Sequence, residues 1–377
     1  MKRLVVCCDG TWGAECNPSV SNIVKIAESV RMRTSSPSGV VGQRVFYIDG
    51  PGSRGYLADK VLGGAFGLGL DANLSTMYWQ LALNWEPGDE IFIFGFSRGA
   101  YTARSLAGMI NRLGLLTPEA MIDRKYPEAL RIYRQRKDPD APDPQEWVRF
   151  REQHCHADVP IKFMGVFDTV GAMGVPGITS WRYRFHDVRL SPAVRCARQA
   201  LAINERRRIF APCLWEVTEA EQRDPERVKQ VWFKGVHTDI GGGYPDSRLS
   251  DVTLRWMVGE AELQGLDFDR DRLEQLISRS QVFDNAVVPH DSLTTAYRLL
   301  NLAGKLVRPR SARFYRDSWR RLGKPATNMV YLSPTAQPTS QFQPPNVLRW
   351  ERELEGSLPY EPTEKATPTP TLEPMGA

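Results

Sequence analysis

Gly95-Phe96-Ser97-Arg98-Gly99 has the pattern G-x-S-x-G, set between an apolar run at 90–94 and a small-residue run opening Ala100-Tyr101-Thr102-Ala103. A strand, a sharp turn and a helix form the context in which such a serine becomes a nucleophile. The serine sits in a strained turn, and the glycines two positions away on either side leave room for the neighbouring strand and helix. The helix that opens there aims its N–H groups at the site, where an acyl-transfer oxyanion would form, and the Arg98 N–H is the expected first donor to it. The pentapeptide alone recurs by chance, and an ordinary glycine-rich turn is the competing reading. The flanks favour Ser97. A second serine, Ser53 in Gly50-Pro51-Gly52-Ser53-Arg54-Gly55, has no helix opening after it and is the weaker candidate.

A serine alcohol needs a general base, usually a histidine held by a carboxylate. Five histidines are available, at 154, 156, 186, 237 and 290. His237 ends an apolar run, 231–236, and opens Thr238-Asp239-Ile240-Gly241-Gly242-Gly243-Tyr244. The C-terminal end of a strand, on a glycine loop, is where a doubly wound sheet presents reacting groups. His290 is the reserve base, and His154 and His156 lie in polar sequence. Asp168 closes the run 161–167 and fits the chain order serine, acid, histidine. Asp239 is an alternative acid or an anchor for the glycine loop, and Asp291 is a further alternative. Asp9-Gly10-Thr11-Trp12 follows the first apolar run; backbone N–H groups there, Thr11 in particular, are expected to complete the oxyanion hole. Asp9 itself reads as a loop anchor, since aspartates commonly bond nearby backbone in turns.

The elements that must position these groups show in the hydrophobic pattern. Apolar runs at 4–8, 44–48, 90–94, 161–167 and 231–236 read as buried parallel strands. Helical patterns are expected at 21–31, 72–85, 100–113, 192–208 and 253–262. The alternation indicates an α/β fold with a mostly parallel sheet and helices on both faces. One catalytic domain over residues 1–333 is expected, with an exposed excursion at 134–146 and a basic helical segment at 305–324. A Pro/Thr-rich tail, largely disordered, is expected over 334–377. The basic segment interleaves Arg308, Arg310, Arg313, Arg316, Arg320 and Arg321 with Phe314, Tyr315 and Trp319; a solvated face, a membrane-surface patch and a nucleic-acid contact are its readings, in that order.

With 42% hydrophobic and 25% charged residues the chain has the profile of a soluble globular protein. A net charge of +5 is too small to imply nucleic acid, and none is expected as a partner. Six cysteines show no metal-type spacing, so buried free thiols, no metal and no cofactor are expected. The N-terminal apolar run is too short for a signal-peptide core. No apolar stretch is long enough to span a bilayer. A product made in the cytoplasm is expected, with any export by a route that reads no such signal.

Together these motifs resemble the α/β-hydrolase family that includes the catalytic domain of type VI secretion phospholipase effectors. The resemblance is carried by Cys8-Asp9-Gly10-Thr11-Trp12, by Gly95 to Tyr101, by Phe167-Asp168-Thr169-Val170-Gly171 and by Gly235 to Tyr244. Asn204-Glu205-Arg206-Arg207-Arg208 and Leu254-Arg255-Trp256-Met257 support it. It implies a lipase-like Ser97–His237–Asp168 site and, for some members, phospholipid substrates. Members often carry Asn or Asp after Gly-Thr-Trp, where this chain has Gly13. An ester or phospholipid substrate is therefore expected. Peripheral contact with an anionic membrane is also expected, through a rim made by residues 61–70 and the basic segment. Whether an immunity protein pairs with it is left open. Two other readings stand beside this one: a phosphoryl hydrolase using Asp9 as nucleophile, and a degenerate hydrolase fold used for binding.

Overall fold

A computed structural model describes residues 1–10, 19–36, 39–50, 65–135, 145–170, 189–277, 287–307, 313–354 and 358–361. Ten strands run in chain order: β1 (Lys2–Cys8), β2 (Arg33–Ser36), β3 (Gly39–Ile48), β4 (Glu90–Phe96), β5 (Leu115–Leu116), β6 (Cys155–His156), β7 (Ile161–Phe167), β8 (Val194–Ala202), β9 (Val228–Phe233) and β10 (Val330–Leu332). Eight form one sheet in the order β10-β9-β8-β7-β4-β1-β3-β2. Every pairing in it is parallel except β2 with β3. β5 and β6 make a separate antiparallel ribbon.

The central strands are apolar on both faces because both faces are covered. Leu4, Val6, Ile91, Ile93, Met164 and Val166 point into one core, shared with helices Ala65–Asn84 and Arg98–Leu113. Val5, Cys7, Phe92, Phe94, Phe163 and Phe167 point into the other, shared with helices Asn22–Ser29 and Arg248–Leu263. The strands therefore end together at one edge of the sheet. Phe96 pairs with Phe167, so the residue after β4 and the residue after β7 are neighbours there. Cys7, Cys8, Cys196 and Cys213 are buried and unpaired, and Cys155 is half-buried and unpaired.

Three expectations are corrected. Residues 192–208 hold strand β8, not a helix. The alanine-rich run imitates helical spacing, but every residue from Cys196 to Ala202 is buried, and Arg198 is accommodated inside by Glu260 at 2.5 Å. Among the described residues the basic segment is helical only at its start, as the end of helix Thr295–Val307, and Arg308 and Arg310 lie outside the described residues. From residue 313 it turns back on itself, with the Tyr315 N–H donating to the Trp319 carbonyl at 2.8 Å. Its aromatic interleaving is internal stacking, with Arg321 and Arg349 on Tyr315 and Arg206 over Trp319.

Residues 334–354 and 358–361 are likewise not a disordered tail. Helix Pro345–Leu354 places Val347 and Trp350 in a third core with Trp232, Val330 and Leu332. Trp350 Nε1 donates to the Gly323 carbonyl at 2.8 Å, and Asn346 Nδ2 donates to the Ile203 carbonyl at 3.0 Å. Composition misleads here because a few large apolar anchors suffice to hold a Pro- and Thr-rich chain. Residues 136–144 of the expected excursion, residues 362–377, and Thr11, Ser53 and His186 lie outside the described residues.

Trp350→Ala should lower stability by about 3–5 kcal/mol, the range for large-to-small changes in a core. The urea midpoint measures it; an unchanged midpoint would mean that the C-terminal helix is no part of the folded unit.

Candidate active site

Ser97 follows β4 directly and has φ 56° and ψ −116°, a conformation that side chains other than glycine rarely adopt. The turn is held by its neighbours. The Ser97 N–H donates to the Phe167 carbonyl at 3.0 Å, and helix Arg98–Leu113 starts at the next residue. A Cβ on Gly95 would lie 2.6 Å from Ala100 Cα, and one on Gly99 would lie 2.1 Å from the Cys8 carbonyl oxygen. The two motif glycines are therefore required by close backbone approach, one to the helix and one to the end of β1.

His237 opens the short helix His237–Gly241 beyond β9, and its ring reaches back to the serine. His237 Nε2 lies 2.8 Å from Ser97 Oγ, and Nδ1 lies 2.5 Å from Asp168 Oδ2. All three residues are buried, Ser97 to 5% exposure and Asp168 to 0%. Phe96, tilted, and Phe210, edge-on, lie against the imidazole, each with its ring centroid 4.8 Å away. Its backbone N–H donates to Glu205 Oε2 at 3.2 Å. Glu205 is itself buried and bonded to the backbone and guanidinium of Arg207, so one carboxylate ties the loop after β8 to the loop carrying the histidine.

Asp168 has a partner that sequence reasoning did not find. Arg320, fully buried, donates from Nη1 to Asp168 Oδ1 at 2.6 Å and from Nη2 to Oδ2 at 3.0 Å. Its remaining reach is spent on the Ala202 carbonyl at 2.9 Å and the Phe210 carbonyl at 2.5 Å. The Ala202 N–H also donates to Asp168 Oδ1 at 3.0 Å. Burial alone would push this carboxyl up, but the Arg320 charge and the bonds from His237 and Arg320 hold it well below the usual carboxylate range. Arg320 sits among several arginines in a run whose composition reads as a surface. Nothing in the spacing singles it out.

The other sequence candidates stand apart from this array. His290 does not approach Ser97; its Nδ1 bonds Asp239 Oδ1 at 2.6 Å, and its ring stacks on Tyr244 at 4.0 Å. Asp239 serves as the loop anchor, accepting the Val236 N–H at 3.0 Å, and burial pushes its carboxyl above the ordinary value. Asp9 is buried after β1 and accepts from the Gly10 N–H at 2.6 Å, Ser21 Oγ at 2.7 Å and the Tyr47 hydroxyl at 2.8 Å. Burial pushes the Asp9 carboxyl up against the pull of those donors. The Gly10 N–H is thereby occupied within the loop. Arg98 is half-buried, and desolvation lowers its guanidinium to about 10.

A mostly parallel sheet with a strained serine after β4, an acid after β7 and a histidine beyond β9 defines an α/β-hydrolase-like protein. The profile of the family described as T6SS phospholipase effector Tle1-like, catalytic domain, matches residues 2–260, and the chain belongs to that family. It is 30% identical over 229 residues to the uncharacterized protein YEL023C of Saccharomyces cerevisiae, an alignment covering 55% of this chain and 32% of that one. The chain thus spans about a third of that relative's length. Among solved structures, the Tle1 effector bound to the VgrG spike of a type VI secretion system is 15% identical with a TM-score of 0.43. That alignment covers 82% of this chain and 80% of the effector. An uncharacterized protein from Pseudomonas aeruginosa is 18% identical with a TM-score of 0.42, covering 74% of this chain and 49% of that one.

Arg320→Met leaves a buried carboxylate without its counter-charge and should cost about 3–5 kcal/mol near neutral pH. Asp168 is depressed in the folded state. Its contribution is therefore complete above the ordinary carboxylate value, about pH 4, and is lost as pH falls through the lower folded value. The gap between wild type and Arg320→Met, read from urea midpoints, should be widest above about pH 4 and narrow on acidification. A gap that stays constant across that range would show that Arg320 acts through packing instead.

Proposed function

We propose that the chain is a carboxylic ester hydrolase of lipase or phospholipase type that works through an acyl-enzyme on Ser97. The observation carrying this reading is the continuous chain of contacts from Ser97 Oγ through the His237 ring to Asp168, at 2.8 and 2.5 Å.

Ser97 Oγ attacks the ester carbonyl as its proton passes to His237 Nε2. Asp168 accepts from Nδ1, which fixes the tautomer and stabilises the imidazolium that forms. The oxyanion is met by the Arg98 N–H at the start of its helix and by a backbone donor of the loop after β1, with Thr11 the expected one. Collapse of the tetrahedral species expels the alcohol, which takes the proton from His237. Water then repeats the cycle on the acyl-enzyme and releases the acid. Phe96 and Phe210 flank the imidazole and keep bulk water from its faces.

The lipid character of the ester rests on family membership. Export by a contact-dependent secretion system follows from the same membership, and no helix among the described residues is long and apolar enough to cross a membrane.

Hydrolysis of p-nitrophenyl esters of short and long acyl chains, beside phosphatidylglycerol vesicles, tests the proposal. Ser97→Ala and His237→Ala should each lower kcat on the order of 10⁶-fold. His290→Gln, whose ring lies on Asp239, should change it only by a small factor. Wild type without activity on every ester, or full activity in Ser97→Ala, would leave a binding role for the fold. Loss of activity in His290→Gln with retention in His237→Ala would reassign the base.

A further inference from the structure

Helix Thr295–Val307 presents opposite faces to very different surroundings. One face is tied to the active-site wall. Asn301 is buried, donating from Nδ2 to the Arg206 carbonyl at 2.9 Å and accepting the Arg208 N–H at Oδ1, also at 2.9 Å. Tyr297 packs on Phe210 with ring centroids 6.3 Å apart, and Phe210 is the ring that touches His237.

The other face is turned to solvent, and it is greasy. Leu299, Leu300 and Leu302 are 65%, 51% and 57% exposed. At about 100° per residue Leu299 and Leu302 fall on one narrow strip of the helix. Val288, just before the helix, is also strongly exposed. One exposed leucine on a protein surface is ordinary; three within about one turn of a helix that touches the active-site wall make a patch.

The charged residues on the helix and after it are mainly cations, with the exposed Asp291 preceding the helix. Arg298 on the helix and Arg316 beyond it are exposed. Residues 295–324 contain a single acid, Asp317, and it is already engaged by Arg349 at 2.9 and 2.5 Å. An apolar strip bordered by cations is the pattern of a helix lying in the interface of an anionic lipid layer. A second copy of this chain fits worse, because a two-fold contact on this strip would set the same arginines against each other.

We infer that the outward face of helix Thr295–Val307 seats the protein on an anionic phospholipid surface, with Leu299, Leu300 and Leu302 entering the boundary between headgroups and acyl chains. The apolar anchor is then the helix preceding the basic segment, and the arginines flank it. Seated this way, the surface that supplies the substrate lies against the helix that touches the Phe210–His237 wall. The choice of lipid as partner rests on the ester-hydrolase reading, and the experiment separates the two.

Binding is measured by co-sedimentation with phosphatidylcholine vesicles, with and without phosphatidylglycerol, in a Ser97→Ala background so that no substrate is consumed. The protein should bind the phosphatidylglycerol vesicles and prefer them to phosphatidylcholine alone. Leu299→Gln/Leu300→Gln/Leu302→Gln should weaken that binding about ten-fold or more, since the apolar area entering the lipid is removed. Arg298→Gln/Arg316→Gln should reduce the preference for phosphatidylglycerol. All five side chains are exposed, so the variants should fold, and a urea midpoint checks it. Vesicle binding unchanged by the leucine substitutions overturns the inference. So does a wild-type oligomer that these substitutions convert to monomer, which would assign the strip to a second copy. Soluble p-nitrophenyl acetate, given to protein with Ser97 intact, reports the chemistry by itself. Its hydrolysis with unaltered vesicle binding sinks the surface alone, whereas its failure with leucine-dependent binding sinks the hydrolase reading and keeps the surface.

Discussion

A carboxylate with no exposure to water, as at Asp168, is among the most costly groups a fold can contain unless its charge is answered. Here both oxygens are covered by Arg320, by the Ala202 N–H and by the His237 ring. Much of the surrounding structure follows from that requirement. Arg320 can reach Asp168 only if the chain after residue 313 folds down over the ends of β8 and β9. That return is held by Asn346 bonding the Ile203 and Arg320 carbonyls and by Trp350 bonding Gly323. The family profile ends at residue 260, so the counter-ion of the acid comes from a part of the chain outside the matched span. The third core and the reacting centre are in this sense one construction.

The second constraint is the tightness of the serine turn. Gly95 lies against the helix that begins after Ser97, and Gly99 lies against the carbonyl at the end of β1. The same contact brings the start of the helix, and the N–H of Arg98, next to the loop that follows β1. Asp9 then fixes the beginning of that loop through three donors, the Gly10 N–H within it and two from elsewhere, Ser21 before helix Asn22–Ser29 and Tyr47 on β3. Its burial and its saturation with hydrogen bonds suit a carboxylate that shapes a loop; a carboxylate free to attack phosphorus would need an uncommitted oxygen.

The parts legible in sequence were those written in short-range pattern. β1, β4, β7 and β9 are continuous apolar runs because both faces of a parallel sheet are covered, and the residues closing β4 and β7 and lying just beyond β9 stand out by their chemistry. β8 was read as helix because alanines leave little periodic signal, and because the buried Arg198 looks like an exposed position until Glu260 is known to face it. β10 has three residues, too few for any period. Arg320 was illegible for a different reason. Its role depends on a contact across 152 residues, and a run rich in arginines resembles a solvated surface whichever member turns inward.

The two Asp–His pairs near the glycine loop show what distinguishes a reacting pair from a structural one. Asp239 and His290 come as close as Asp168 and His237 do, 2.6 against 2.5 Å. Yet the Asp239 carboxyl is pushed up by burial, with no arginine bonded to it among the described residues, and its histidine stacks on Tyr244. Asp168 is pulled the other way by Arg320, so it remains a carboxylate able to steady a cation formed on the imidazole. Proximity is shared by both pairs; the serine at Nε2 and the arginine behind the acid belong to one. That asymmetry is set by residues 97 and 320, which lie on either side of the loop in the chain, so the environment and not the pairing separates the two histidines.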